Sequence, residues 1–135
     1  MKPTQNGELI GRAEIERIQS LGEAELDRLP FGAIRLDRDG TILSYNRTEA
    51  ELSGRRKETV LGRNFFTEVA PCTNVQEFAG RFREGVRSGS LHMVFPYIFD
   101  DRPEPRNVWV TLFYSRETDT AWVLVREDRR IAQMD

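Results

Sequence analysis

The chain is poor in the residues that build the commoner catalytic centres. Its 135 residues include one cysteine, Cys72, and one histidine, His92. A single cysteine excludes an internal disulfide, and one cysteine with one histidine makes no zinc-binding cluster. A Ser–His–Asp or Cys–His centre would have to use His92, and nothing around it marks it for that role. Neither sign of charge dominates: 20 basic residues face 22 acidic ones, for a net charge of −2. That balance excludes the basic footprint of a nucleic-acid or anionic-membrane binder. The apolar runs are far shorter than a membrane span, and MKPTQNGELI lacks the apolar core of a secretory signal. No phosphate-binding glycine loop is present. The expectation is a non-enzymatic protein of a reducing, cytoplasmic compartment that binds neither nucleic acid nor membrane.

What is present describes an ordinary globular domain. Hydrophobic residues make up 39% and charged residues 31% of the chain, enough for a core that needs no disulfide. In GRAEIERIQSL, Ile15, Ile18 and Leu21 recur at three-residue spacing, which predicts a short amphipathic helix ended by Gly22. Ala24, Leu26 and Leu29 extend this apolar arm, which is expected to cover the back of a sheet. In GAIRLDRDGTILSY, Ile34 and Leu36 alternate with charges, and Asp39-Gly40 is expected to supply the positive backbone angles of a hairpin turn.

Residues 46–72 predict short helices broken at Gly54 and Gly62. Asn74-Val75-Gln76-Glu77 predicts a capped helix start, followed by Phe78, Phe82 and Val86 on one face and a stop at Gly89. Three strands follow at Leu91–Phe99, Val108–Tyr114 and Ala121–Val125. The fold class is α+β: a five-stranded antiparallel sheet flanked by helices, with an N-terminal helical arm. The expected boundaries are 1–28 for the arm, 29–127 for the core and 128–135 for a tail.

Two stretches carry chemistry. In SYNRTEAELSGR a helix starting near Asn46 lines up Tyr45, Glu49 and Ser53 at four-residue spacing, with Arg55 just beyond. Asn46-x-x-Glu49 also reads as a capping box, in which Glu49 folds back onto the first amide of the helix. From spacing alone, capping is the commoner outcome. In VAPCT, Cys72 has no histidine or dense basic cluster beside it to activate the thiol, and a free cysteine is often an inert, buried apolar group.

From Leu29 to about Glu127 the sequence resembles the photoactive yellow protein family of blue-light receptors, and its element order is similar to that of a PAS domain. The resemblance rests on LPFGAIRLDRDGTILSYN, GRNFFTEVAPCT, EFAGRFREGVRSG and WVLV. It implies that Cys72 carries p-coumaric acid (4-hydroxycinnamic acid) as a thioester. It implies that Tyr45 and Glu49 hydrogen-bond the phenolic oxygen, with Ser53 bracing the tyrosine where the family usually has threonine, and Arg55 covering the pocket. Ile34, Phe65, Val69 and Ala70 match pocket-lining positions, as do Thr73 and Phe99, and Tyr97 lies in the matching strand.

The family pattern has an aromatic and a methionine where this chain has Asp101 and Pro103, so tuning by those side chains does not carry over. The implied activity is light sensing by isomerisation, proton transfer from Glu49 and partial unfolding. The implied partner is a downstream signalling protein, and the protein itself is expected to be a monomer or weak dimer. The competing reading is a light-insensitive PAS module for ligand binding or dimerisation. Four polar or reactive residues, Tyr45, Glu49, Arg55 and Cys72, favour the photoreceptor, since a capping box accounts for only one of them.

Overall fold

The computed structural model describes residues 11–100 and 103–127. The tail expected at 128–135, the first ten residues and Asp101 lie outside the described residues. Five strands form one antiparallel sheet: β1 (Gly32–Asp37), β2 (Ile42–Tyr45), β3 (Leu91–Phe99), β4 (Arg106–Ser115) and β5 (Thr120–Glu127). Their spatial order is β2-β1-β5-β4-β3. The first hairpin therefore meets the last three strands through β1–β5 pairing, with Ile34 opposite Val123.

Side-chain alternation divides the core in two. On the front face, Ile34 and Leu36 of β1, Val110 and Leu112 of β4, and Val123 and Val125 of β5 join Phe66, Phe78 and Phe82 from the helical crossover. On the back face, Ala33, Phe113, Trp122 and Leu124 are covered by Ile15, Ile18 and Leu26. These last come from α1 (Arg12–Gln19) and α2 (Glu23–Leu26), so the amphipathic arm covers the back of the sheet as its apolar stripe predicts.

Two local expectations are corrected. In the first hairpin only Gly40 takes a positive φ, at 94°, and Asp39 does not. The Asp37 carboxylate organises the turn instead by accepting from the N–H groups of Asp39 and Thr41, each at 2.9 Å. The ladder slips by one residue between Arg35 and Leu36, as a bulge next to such a turn does.

The second correction concerns Asn74, which caps no helix: its Oδ1 accepts from Arg83 at 3.0 Å. The helix starts at Gln76 with a wide π-type turn, marked by the Gly80 N–H donating to the Val75 carbonyl. It continues as α5 (Arg81–Ser88) and stops at Gly89, whose φ is 83°. Phe78 and Phe82 are fully buried, as expected from their spacing.

The crossover also holds α3 (Arg47–Ser53), α4 (Lys57–Val60), a π-type turn at Phe65–Val69 and a 3-10 turn at Pro71–Thr73. Asn64 starts the π-type turn by accepting from Phe66 and Thr67 N–H, while its amide donates to the Asp39 carbonyl at 2.8 Å. This fixes the segment leading to Cys72 against the first hairpin.

Candidate functional site

Asn46 decides how α3 presents its side chains. Its Oδ1 caps the helix by accepting from the Glu49 N–H at 3.0 Å and also accepts from the Ala33 N–H at 2.9 Å. Its Nδ2 donates to the carbonyls of Leu26 and Phe31. The Asn46 backbone N–H donates to the Ala33 carbonyl. The capping box is thus half built. Asparagine caps, but its own amide is spent on β1, and the Glu49 side chain is committed elsewhere.

Glu49 is 3% exposed and forms a forked pair with Arg106, with Nη1–Oε2 at 3.1 Å and Nη2–Oε1 at 3.3 Å. A forked guanidinium–carboxylate pair is the stronger, more directional kind. Gly32 makes room for it. A Cβ at that position would lie 2.1 Å from Glu49 Oε1, so no side chain fits without displacing the carboxylate. The Arg106 guanidinium lies 5.3 Å from the Phe99 ring centre, and its Nε reaches Glu127 Oε2 at 3.3 Å. Burial opposes the charge on Arg106, but Glu49 and Glu127 outweigh it, so its pKa is raised.

Tyr45 ends β2 and is buried, with its hydroxyl 2.9 Å from Ser53 Oγ. Ser53 Oγ in turn accepts from the Arg55 N–H at 3.2 Å. Burial, reinforced by the Glu49 charge, pushes the Tyr45 phenol well above its ordinary range. Tyr45 is therefore a proton donor and not an anion at neutral pH.

Tyr45, Glu49, Ser53 and Arg55 line one small cavity of about 20 Å³. Its other walls are Phe65, Val69, Ala70, Phe99 and Arg106. Of the pocket positions expected from sequence, Phe65, Val69, Ala70 and Phe99 line this cavity with the polar row, whereas Ile34, Thr73 and Tyr97 do not. Cys72 does not itself line this cavity; it is half-buried, follows the lining residue Ala70 by two positions and packs against the same front-face cluster. Its carbonyl accepts from the Tyr97 hydroxyl at 2.5 Å. Thr73 is fully buried and donates to the Ala70 carbonyl at 2.7 Å. Ile34 and Tyr97 belong to the front-face cluster without lining the cavity. Pro103 is exposed.

Sequence reasoning missed Arg106 and Gly32. Arg106 had a usable signal. It pairs directly with Phe99 in the β3–β4 ladder, and directly paired residues of antiparallel strands project to the same face. A pocket position at Phe99 thus places Arg106 in the pocket once the register is known.

The donor set fits an aromatic acid. The walls offer Phe65, Val69 and Phe99 to a ring. Tyr45, Glu49 and the arginines offer hydrogen bonds and compensating charge to an oxygen. At about 20 Å³ the cavity is smaller than such a ring, so seating one requires wall side chains to part.

Among the described residues no group of histidine, cysteine and carboxylate side chains could hold a metal, and no helix is long and apolar enough to cross a membrane. The PAS fold family model matches residues 20–129. A photoactive yellow protein of Rhodothalassium salexigens is 46% identical over 118 residues, 87% of this chain and 94% of that protein. Another, from Halochromatium salexigens, is 42% identical over the same shares. Among solved structures, the photoactive yellow protein domain of the sensor histidine kinase Ppr from Rhodospirillum centenum aligns with a TM-score of 0.79 and 49% identity. That alignment covers 83% of this chain and 98% of the domain. With its five-stranded sheet and flanking helices, the chain belongs to the photoactive yellow protein family of PAS domains.

Proposed function

We propose that the protein is a blue-light receptor whose chromophore is p-coumaric acid, joined by its carbonyl carbon to Cys72 Sγ as a thioester. The observation that carries this reading is the convergence of Tyr45, Glu49 and Ser53 on one small cavity walled by Phe65, Val69 and Phe99, within the front-face cluster against which the half-buried Cys72 packs. When bound, the group supplies visible absorption and a double bond that rotates on excitation. The rest falls to the chain. Tyr45 donates to the phenolic oxygen and Ser53 orients that hydroxyl. Glu49 is paired with Arg106 as a carboxylate when the cavity is closed; with the chromophore seated it takes up a proton and donates it as a second hydrogen bond, because hydrogen bonds to an anionic oxygen are the strong kind. Phe65, Val69 and Phe99 exclude water, which keeps those bonds strong. Arg55 covers the opening.

Once these contacts are lost, Glu49 would be the group that gives up its proton, and a carboxylate would remain in the core. That carboxylate forms beside Arg106, whose guanidinium reaches both Glu49 oxygens at 3.1 and 3.3 Å, so its appearance rearranges the hydrogen bonds that hold the front of the core. The yielding part is the arm, residues 11–28, whose helices are too short to persist undocked. A loosened arm is the change offered to a downstream signalling protein.

The test is reconstitution. Protein made without chromophore receives an activated ester of p-coumaric acid and is read by mass and visible spectrum. One adduct per chain and a visible band are expected, both lost in Cys72→Ala. A band that survives Cys72→Ala overturns the thioester. Glu49→Gln keeps a donor but no acidic proton, so it should stay coloured with a shifted band and altered proton transfer. An unchanged spectrum and photocycle would leave Glu49 without a role in tuning.

A further inference from the structure

We propose that Arg106 is the counter-ion of Glu49 and a relay that carries the protonation state of Glu49 to Glu127 at the carboxyl end of β5. One guanidinium serves two carboxylates. Its terminal nitrogens fork onto Glu49 and its Nε bonds Glu127. The three side chains form a path from core to surface: that of Glu49 is 3% exposed, that of Arg106 12% and that of Glu127 39%. The anchoring elements differ as well. Glu49 sits on α3, Arg106 begins β4 and Glu127 ends β5, directly after the strand pairs Val110–Val125 and Trp109–Arg126.

A guanidinium does not lose its proton in a protein, so Arg106 cannot answer a change at Glu49 by becoming neutral. It must redistribute its hydrogen bonds. Among the described residues, the charged and titratable groups that bear on Glu49 and its partners here include Tyr45 from β2, Arg55 beyond α3, Arg106 from β4 and Glu127 from β5. With Glu49 ionised, Arg106 is compensated from both sides. With Glu49 neutral, Glu127 is its sole carboxylate among these groups, and the pull on Arg106 turns toward the end of the sheet. Coupling of this kind is reciprocal, so a change at Glu127 must also be felt at Glu49.

The use of the relay rests on the photoreceptor reading. A carboxylate formed at Glu49 by light arises next to a guanidinium rather than uncompensated, which limits the disruption it causes and directs part of the response along Arg106. The relay then supplies a second exit for the signal, at the end of β5, independent of the arm on the opposite face.

The relay itself can be tested without light, on the full chain prepared without chromophore and labelled with ¹³C and ¹⁵N. Glu49→Gln serves as the neutral form. It should shift the backbone amides of Arg126 and Glu127 and change their hydrogen exchange. In an Arg106→Met background the same substitution should leave those amides unmoved. Equal responses with and without Arg106, or none in either, overturn the relay.

Glu127→Gln supplies the reverse arm at a half-exposed position that does not threaten folding. It should move the Glu49 carboxyl ¹³C resonance, and should Arg106→Met fail to fold, this arm decides alone: no movement overturns the proposal. A chain that accepts no chromophore would overturn the photoreceptor reading while leaving these shifts in place.

Discussion

Behind the sheet, Trp122, Leu124 and Phe113 meet Ile15 and Ile18 of the arm, and the charges at this face include the guanidinium groups of Arg12, Arg35 and Arg126, lying over the rings of Phe113, Trp122 and Phe31. In front, the Glu49–Arg106 pair stands within the core and shares one cavity with a buried tyrosine and a buried serine that hydrogen-bond each other. The back face is held by apolar area, which is non-directional and indifferent to a proton. The front face is held partly by hydrogen bonds of fixed direction, each of which depends on where a proton sits. A one-proton event can therefore reorganise the front and can reach the back only through structure shared by both. Asn46 is such a structure. One amide side chain holds the Glu49 N–H at the start of α3 and the carbonyls of Leu26 and Phe31 on the arm side.

The contrast is broken most severely by Trp122→Ala. Trp122 is 1% exposed and central to the back cluster. Removing a buried aromatic costs about 3–5 kcal/mol. Denaturant unfolding should register that loss, and the arm should exchange its amide hydrogens faster. Chromophore uptake by the folded fraction should persist, since Trp122 lines no part of the front cavity. Loss of uptake in protein shown to be folded would mean that the two faces are not separable.

Asn46→Ala attacks the junction. It removes a helix cap, worth about 0.5–2 kcal/mol, and leaves buried carbonyls unpaired at about 1–3 kcal/mol each before water relieves them. A net loss near 2–4 kcal/mol is expected on those figures. Hydrogen exchange should quicken at both residues 23–29 and the first turn of α3. Acceleration confined to α3 would show that the arm is held by its apolar contacts alone.

Gly32→Ala sharpens the description of the front. Its backbone needs no special angle, so the cost comes from space. The added methyl overlaps Glu49 Oε1 and must push the carboxylate off Arg106. A destabilisation of about 1–3 kcal/mol is expected for overpacking of this kind. The test is a double-mutant comparison: Gly32→Ala should cost much less when Glu49 is already Gly. Equal costs in both backgrounds would place the strain elsewhere in β1.

These faces were not equally legible in the sequence. The back was readable because it obeys short periods: Ile15 and Ile18 on a helix, and alternation along Ala121–Val125. The strand Leu91–Phe99 stood out by composition, since Leu91, Val94, Phe95, Tyr97, Ile98 and Phe99 are branched or aromatic. The front was half legible. Tyr45, Glu49 and Ser53 share one helix turn and its approach, so four-residue spacing gathered them, and resemblance to a family supplied Cys72.

Arg106 remained hidden because it is 57 residues from Glu49 in the chain, in a stretch with a second arginine, Arg102, and no period. Only the β3–β4 register, with Phe99 opposite Arg106, singles it out. Asn74 misled for a physical reason. Its motif suits a cap, but the π-type turn at Gln76–Gly80 starts the helix later and leaves the Asn74 side chain to Arg83.

The smallest effect expected is at Tyr97, on the front but outside the cavity. Its hydroxyl donates to the Cys72 carbonyl. Burial, then the nearby charges of Cys72, Asp100 and Glu77, push its pKa up to about 12 from an ordinary value of 10.0. The sign follows from proton binding. Below pH 10 both folded and unfolded chains keep the phenol proton, and the contribution to stability is constant. Between about pH 10 and 12 the unfolded chain gives the proton up while the folded chain retains it. The folded state then binds more protons, so stability falls as pH rises through this window.

Tyr97→Phe has two separable consequences. At neutral pH it loses one hydrogen bond, a cost of about 0.5–1.5 kcal/mol. In the alkaline window its stability should decline less steeply than that of the parent, because one phenol no longer contributes. Part of the decline should remain, since Tyr45 is pushed in the same direction. Urea midpoints measured from about pH 8 upward provide the check, because the ordinary tyrosine value lies above that starting point. Parallel curves for parent and variant would show that Tyr97 ionises as freely in the folded chain as in the unfolded one. The hydroxyl would then not be held against the Cys72 carbonyl in solution.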